Sequence, residues 1–272
     1  MINVDIKNHG FIAPEITPDQ YILGGGLVPQ DILQESGQWD SFLPQDEFQL
    51  LNGLEVYNCT AFGTLNAIEL LARRKFDEQW NKSERFVGTM AGTRPPGNSP
   101  HVVCETVRKT GLIDDELLPF SAGINTLDEY YSTLDITNTL LAKAENWLLN
   151  YQFKHEWLWY GFPSIKEKQD KLVEALKYSP IGASVNAWKE ESGLYYKDTD
   201  DQDNHWICIY GYELGKYWKI FDSYNNSHKK LAWDYNFLFA KRFHLQKNDD
   251  VGKNWLEDIL ARLLDFLKSV LK

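Results

Sequence analysis

Three residues that lie far apart in the sequence could together perform thiol chemistry, namely Cys59, His205 and Asp222. A cysteine becomes a strong nucleophile when an imidazole takes its proton, and a carboxylate can hold that imidazole in one orientation. In this arrangement Nδ1–H of His205 would bond Asp222, and Nε2 would share a proton with the sulfur of Cys59. The order of the three residues along the chain therefore predicts a Cys-His-Asp triad.

The pattern after Cys59 predicts the element that positions the nucleophile. Apolar residues recur every three or four positions from Phe62 to Leu71, so we expect an amphipathic helix that begins near Cys59 and ends near Lys75. The first turn of a helix offers unpaired N–H groups and the positive end of the helix dipole, and both stabilise a thiolate. This position favours a reactive cysteine.

Two predicted strands would bring the other two residues together. His205 precedes the apolar run 206–210, and Asp222 follows the aromatic run 217–221. The intervening residues 211–216 are typical of a hairpin connection. If the two strands are adjacent and antiparallel, Asp222 lies beside His205.

These residues belong to a wider resemblance to the papain-like cysteine peptidases, in particular to divergent bacterial and phage members with a nucleophile motif of the Ser-Cys-Thr-Ala-Phe type. The matching residues here are Asn58, Cys59, Thr60, Ala61 and Phe62. The family's histidine and asparagine follow the cysteine by about 130–150 residues, a window that contains His205 and ends shortly before Asp222. The segments 18–29, 111–120 and 178–185 also match family stretches in the same order.

The resemblance implies an α+β fold, in which a helical subdomain carries the nucleophile and packs against an antiparallel β subdomain. Residues 1–248 would form this papain-like domain, and the part before Cys59 would serve as domain entry rather than as an added inhibitory module. Residues 249–272 would form a C-terminal amphipathic helix, because apolar residues recur at helical spacing from Trp255 to Leu271. We expect this helix to dock on its own domain or on a second copy of the chain, with anchoring to a membrane surface or to another partner as the alternative.

Two departures from the family concern the active site. Papain-like peptidases carry a glutamine six residues before the nucleophile, whose amide helps to bind the oxyanion, but this position is Gly53 here. Asn52 could replace it, as could Gln49 if the chain contains a local insertion. Loss of such a donor would slow acyl transfer by about a hundredfold or more. Asp222 stands where the family has asparagine, a change that keeps the ability to hold an imidazole.

A segment between Gly88 and Pro100 is rich in glycine and proline, which predicts a loop. By resemblance, the backbone of this loop would bind an extended peptide, with Gly92 as the expected contact, and the alternative is a plain surface connection. Ser99 is the predicted N-cap of a short helix after the loop, and Cys104 is expected on the buried face of that helix.

The composition argues against several classes of function. A net charge of −11 disfavours nucleic acid as a partner, because phosphate binding depends on clustered lysine and arginine. The three cysteines, Cys59, Cys104 and Cys208, encode neither a disulfide framework nor a zinc finger, and no histidine has a metal-like spacing. We therefore expect no metal and no cofactor. The first residues lack a signal-peptide core, so we expect a cytoplasmic protein, with association with a virion as the alternative.

Three hypotheses about function follow. The preferred one is a cysteine peptidase that hydrolyses peptide or protein substrates through the predicted triad. The second is an acyltransferase with the same triad, since such a site does not itself decide whether water or an amine accepts the acyl group. The third is a papain-like scaffold that has lost its oxyanion donor and serves in binding or assembly, for example of a phage particle. Gly53 favours the third hypothesis, whereas a donor from Asn52 or Gln49 beside the sulfur would oppose it.

Overall fold

The computed structural model describes residues 9–17, 20, 28–121, 123–197, 202–224 and 226–248. The helices within these ranges are α1 (Cys59–Phe76), α2 (Glu84–Met90), α3 (Pro100–Thr110), α4 (Leu127–Tyr130), α5 (Asn138–Asn150) and α6 (Ile165–Ala175). The strands are β1 (Gly10–Phe11), β2 (Leu50–Leu51), β3 (Leu54–Glu55), β4 (Gly97–Asn98), β5 (Tyr151–Trp157), β6 (Ile181–Val185), β7 (Lys189–Glu191), β8 (Leu194–Tyr196), β9 (His205–Glu213), β10 (Tyr217–Phe221), β11 (His228–Ala232) and β12 (Ala240–Lys247). The predicted helix at 249–272 lies outside the described residues, as does most of the entry segment 18–29.

One mixed sheet of eight strands has the order β5-β12-β6-β9-β10-β11-β8-β7. Its neighbouring strands are antiparallel except β11 and β8, which pair in parallel at Leu231 and Tyr195. The predicted antiparallel sheet is therefore correct apart from this pair. The exception follows from the path of the chain. The β7–β8 hairpin lies at the sheet edge next to β11, and the chain then crosses to the centre of the sheet, where it forms β9. With the separate helices, this sheet makes the chain an α+β protein.

Helix α1 is the central helix of the fold and confirms the predicted span. It packs against β9 on one side and against α2 and α3 on the other. Gly63, one turn after Cys59, permits the close approach to the sheet, since a Cβ there would lie 2.9 Å from Cδ1 of Trp206 and 3.2 Å from the carbonyl carbon of Ile207. This packing holds the start of the helix against the start of β9.

More of α1 is buried than the single face that its periodicity predicts. Residues 59–72 are all buried, because the sheet and the other helices enclose this part of α1. Even Glu69 is enclosed, at 2% exposure, and its Oε1 accepts a hydrogen bond from the backbone N–H of Lys82 at 2.7 Å. The apolar periodicity predicted the helix correctly. It did not predict burial on all sides, because a central helix has no solvent-facing side.

The region of the predicted 88–100 loop begins as a helix. Helix α2 continues to Met90, so the irregular part is shorter than expected. Helix α3 begins as predicted, with Pro100 in its first turn and Oγ of Ser99 accepting from the N–H of His101 at 3.2 Å. Cys104 is fully buried on α3, as its periodic position predicted.

Candidate active site

Cys59 is the first residue of α1, and its side chain is fully buried. The preceding residue is fixed to α2, since the amide of Asn58 donates to the carbonyl oxygen of Glu84 at 2.8 Å. Cys59 packs in one apolar cluster with Trp206, the second residue of β9. These contacts place the sulfur between the first turn of the helix and the first residues of β9.

His205 and Asp222 form a fully buried pair, with His205 at the start of β9 and Asp222 directly after β10. Nε2 of His205 lies 2.6 Å from Oδ1 of Asp222. The predicted ring orientation is therefore wrong, because Nε2 rather than Nδ1 meets the carboxylate. The strand register explains this, since Phe221 pairs with Cys208 and the carboxylate approaches the distal end of the ring. Among the described residues, Nδ1 of His205 has no hydrogen-bond partner.

Three aromatic side chains fix the imidazole of His205. The ring of His9 lies edge-on at a centroid distance of 5.4 Å, Tyr224 lies tilted at 5.4 Å, and Trp188 lies edge-on at 6.1 Å. The ring is thus held both by its bond to Asp222 and by packing on several sides. A fixed imidazole can present one nitrogen in a constant direction.

The Asp222 carboxylate accepts hydrogen bonds at both oxygens. Nζ of Lys229 donates to Oδ2 at 2.6 Å, opposite the contact of Oδ1 with His205. Burial alone would raise the pKa of Asp222, but attraction to His205 and Lys229 and the hydrogen bonds from both lower it to about 2. The carboxylate is therefore ionised throughout the neutral range.

Gln49 lies at this site and Asn52 does not. Strands β2 and β3 form a hairpin between Gln49 and Cys59, and its turn consists of Asn52 and Gly53, whose φ angles are 52° and 84°. Asn52 is exposed at the tip, whereas Gln49 is fully buried. Oγ of Ser223 donates to Oε1 of Gln49 at 2.6 Å, which fixes the amide with Nε2 directed away from Ser223. The hairpin is the local insertion that the sequence left open.

Glu55 and Tyr224 hold the amide of Gln49 from the other side. Nε2 of Gln49 lies 2.7 Å from Oε1 of Glu55 and 2.9 Å from the Tyr224 hydroxyl, which itself donates to Oε2 of Glu55. Burial raises the pKa of Glu55, and hydrogen bonds from Tyr224, Tyr57 and Gln49 oppose this shift. Tyr224 thus brings a polar network to the site.

The N-terminal segment (residues 9–12) runs through the same site as an extended peptide. The N–H of His9 donates to the carbonyl oxygen of Asn204 at 2.9 Å, and the carbonyl oxygen of His9 accepts from Nε2 of Gln49 at 2.8 Å. Strand β1 of this segment pairs in parallel with β4, and Ile12 N–H donates to the Asn98 carbonyl at 2.9 Å. The side chain predicted as an oxyanion donor therefore binds a peptide carbonyl.

Gly10 and Phe11 of the N-terminal segment cover Cys59. A Cβ on Gly10 would lie 2.3 Å from the carbonyl carbon and oxygen of Tyr57, so glycine is required for this close passage. The ring of Phe11 stacks on Trp206 at a centroid distance of 6.0 Å and packs in one apolar cluster with Cys59. Residues expected to serve as domain entry therefore lie over the candidate nucleophile.

The covered site favours neutral side chains. Burial raises the pKa of the Cys59 thiol well above its usual value, and the charges of Glu55 and Asp222 add to this effect. Hydrogen bonds from Trp206 and Thr60 act in the opposite direction without cancelling it. Burial, with a contribution from His205, lowers the pKa of His9 to about 3. While the N-terminal segment is in place, Cys59 is held as a thiol.

In the loop predicted to bind a substrate peptide, residues other than Gly92 contact the chain's own N-terminal segment. Gly97 and Asn98 pair with the N-terminal segment, and a Cβ on Gly97 would lie 2.0 Å from the carbonyl carbon of Gly10. An added Cβ on Gly92, the predicted contact, would meet no part of the described chain within 4 Å. The sequence gives a partial signal for Gly97, because a glycine after two prolines favours a turn followed by a close backbone approach.

Gly10→Ala is expected to displace the N-terminal segment, because the added methyl group would overlap the backbone of Tyr57. Overpacking of this kind costs about 1–3 kcal/mol, and each 1.4 kcal/mol changes a population about tenfold. Alkylation of Cys59 by iodoacetamide, measured by mass spectrometry, should therefore accelerate by roughly tenfold or more.

Gly193→Ala is the matched control for this variant. Both glycines have a positive φ, 111° at Gly10 and 80° at Gly193, but an added Cβ on Gly193 would have none of the described residues within 4 Å. The control carries the backbone strain without the overlap, so it should leave the alkylation rate of Cys59 unchanged. Equal rates in the two variants would show that the N-terminal segment does not limit access.

The described part of the chain offers no arrangement of three or more His, Cys, Asp or Glu side chains that could hold a metal ion. Within the same residues, no helix combines the length and apolar character needed to cross a membrane. The site itself presents a thiol, an imidazole bound to a carboxylate, and a carboxamide.

Solved structures share the fold of this chain. Digestive procathepsin L 3 of the Tenebrio molitor larval midgut is 16% identical, with a TM-score of 0.57 over 87% of this chain and 76% of that one. The ragweed pollen allergen Amb a 11, a cysteine protease in its proform, is 15% identical, with a TM-score of 0.54 over 81% and 67%. No protein-family model matches the sequence, and no curated protein does so. At these identities the similarity establishes a papain-like fold.

Proposed function

We propose that the chain is a cysteine peptidase in which Cys59 is the nucleophile, His205 the base and Asp222 the residue that orients the base. The observation that carries the proposal is the seating of an extended peptide against Cys59, with its carbonyl oxygen 2.8 Å from Nε2 of Gln49. A substrate in the same seat would present its carbonyl group to both a nucleophile and a hydrogen-bond donor. The motif around Cys59 favours the divergent bacterial or phage type of this enzyme.

The proposed reaction gives each of these side chains a defined role. His205 takes the proton of Cys59 at Nδ1, the nitrogen left open by its bond to Asp222, and the thiolate attacks the substrate carbonyl. Gln49 donates to the oxygen of the tetrahedral intermediate. The imidazolium then protonates the leaving amine as the C–N bond breaks. Water attacks the resulting thioester with His205 as base, which releases the acid and restores the thiol.

The experiment that tests the proposal is peptide hydrolysis by the purified chain and by Cys59→Ala, measured by mass spectrometry on a mixed peptide library. An added primary amine distinguishes the acyltransferase hypothesis, since transfer would produce amide products in place of free acids. Because the N-terminal segment covers Cys59, the Gly10→Ala variant should be assayed in parallel. Absence of both hydrolysis and transfer in the parent and in this variant would favour the binding scaffold.

A further inference from the structure

Lys229 is a buried lysine at the back of the candidate active site. It lies on β11, where burial alternates so that His228 and Lys230 are exposed while Lys229 and Leu231 face inward. Lys229 is 5% exposed. Strand β11 pairs with β10 in a register that opposes Lys229 and Ile220, which places the lysine close to the end of β10 where Asp222 lies.

The ammonium group of Lys229 is bound to the Asp222 side of the site. Nζ donates to Oδ2 of Asp222 at 2.6 Å and to the carbonyl oxygen of Asn226 at 2.8 Å, and it lies 5.6 Å from the ring centroid of Tyr195. The backbone closes the same turn, since Asp222 N–H donates to the Ser227 carbonyl oxygen at 2.8 Å. The lysine and the carboxylate therefore form one rigid unit.

We infer that Lys229 is a positioning residue, which neutralises Asp222 so that the pair acts on His205 as an uncharged hydrogen-bond acceptor. This inference rests on the proposed function of Cys59 and His205. The family asparagine that Asp222 replaces is itself an uncharged acceptor. A lone buried carboxylate would hold the imidazole equally well but would add a negative charge close to the thiolate.

The charges of Asp222 and Lys229 affect the pKa of the Cys59 thiol. Asp222 raises the pKa of the Cys59 thiol through its negative charge, and Glu55 acts in the same direction. Among the described residues, the titratable groups that pack against His205 are His9 and Tyr224, and burial holds both neutral, so that neither provides a positive charge. Lys229 supplies the positive charge that offsets Asp222 in this enclosed group.

Removing Lys229 should shift the pH dependence of the site upward. In Lys229→Met the uncompensated carboxylate favours the imidazolium and opposes the thiolate, so the pKa of Cys59 rises. The rate of Cys59 alkylation against pH, measured with Gly10→Ala in every chain so that the site is uncovered, should then move by about one pH unit to higher pH. Lys229→Arg keeps the charge and should remain close to the parent, as should Lys230→Met, which removes an exposed lysine from the other face of β11.

The double variant Lys229→Met with Asp222→Asn separates charge balance from structural support. It removes both charges and leaves an uncharged acceptor at Asp222, so the inference predicts that the pH profile returns to within a few tenths of a unit of the parent. Because no unpaired carboxylate is buried, the double variant should also unfold at a higher temperature than Lys229→Met. A double variant shifted as far as the single variant would overturn the inference.

The parent profile distinguishes failure of this inference from failure of the proposed function. If the parent shows no reactivity of Cys59 below the pH range of an ordinary thiol, also with Gly10→Ala, the proposed nucleophile is wrong. If the parent shows this reactivity and Lys229→Met leaves the profile unchanged, the role of Lys229 is wrong while the peptidase proposal stands.

Discussion

Cys59→Ala is expected to reduce peptide hydrolysis by roughly 10⁵-fold or more, because loss of the nucleophile removes the covalent route and leaves only binding and oxyanion stabilisation. The measurement is the hydrolysis rate of a peptide that the parent cleaves, with Gly10→Ala present in both chains so that the site is uncovered. The substitution removes a buried thiol at the helix start and should leave the fold intact, as circular dichroism would verify.

Cys104→Ala and Cys208→Ala are the matched controls for this prediction. Both cysteines are fully buried, one on α3 and the other on β9, and burial raises the pKa of each thiol. Each substitution removes the same number of atoms from the core as Cys59→Ala, so any loss due to packing should appear in the controls. A fall in hydrolysis in all three variants alike would mean that the activity reports stability rather than a nucleophile.

Gln49→Met is expected to lower peptide hydrolysis by about 10²–10³-fold, the usual effect of losing one oxyanion donor. Methionine has a similar length but no N–H, so the variant removes the donor with little change in volume. Alkylation of Cys59 by iodoacetamide has no oxyanion and should not slow. It can instead accelerate, because the bond from Gln49 to the His9 carbonyl is also lost.

Asn52→Ala is the control that distinguishes the two oxyanion candidates in the sequence. Asn52 lies at the exposed tip of the β2–β3 hairpin, so its loss should leave hydrolysis unchanged. If Asn52→Ala slowed hydrolysis and Gln49→Met did not, the proposed oxyanion hole would be wrong. The two variants therefore show which of these residues, three positions apart in the sequence, donates to the oxyanion.

The sequence predicted the helix and the strands of this site because their patterns are local. The periodicity after Cys59 fixed α1, and the apolar and aromatic runs beside His205 and Asp222 fixed β9 and β10. Their antiparallel pairing then brought the histidine and the aspartate together. The ring orientation of His205 could not be predicted, because it depends on strand register and on the bulge between Lys219 and Ile220.

The position of Gln49 depended on a hairpin that the sequence does signal. Asn52-Gly53 between apolar residues is a strong sign of a two-residue turn with positive φ angles, and the observed φ values of 52° and 84° agree with it. A hairpin at this point inserts extra residues before Cys59. The residue that corresponds to the family glutamine is then Gln49 and not Gly53. The sequence gives a weaker indication that Lys229 is buried. Alternate residues of β11 face inward, and Lys229 lies on the same face as Leu231.

The covering segment could not be predicted from local patterns. Residues 9–12 contain no periodicity that identifies a binding surface, and their position depends on contacts with distant parts of the chain, such as Asn204 and Gln49. The ring of His9 lies against His205, and no pattern around His9 in the sequence indicates this contact. Extended segments held mainly by backbone hydrogen bonds have little sequence specificity, and this limits what composition alone can indicate.

The most direct test of the triad is the rate of Cys59 alkylation against pH in the parent and in His205→Ala, each with and without Gly10→Ala. Cys104 and Cys208 serve as internal controls, because both are buried thiols outside the site. The proposal predicts that the uncovered Cys59 reacts well below the pH of an ordinary thiol, and that His205→Ala abolishes this low-pH reaction. An ordinary thiol profile that does not change in His205→Ala would contradict the assignment of Cys59 as an activated nucleophile.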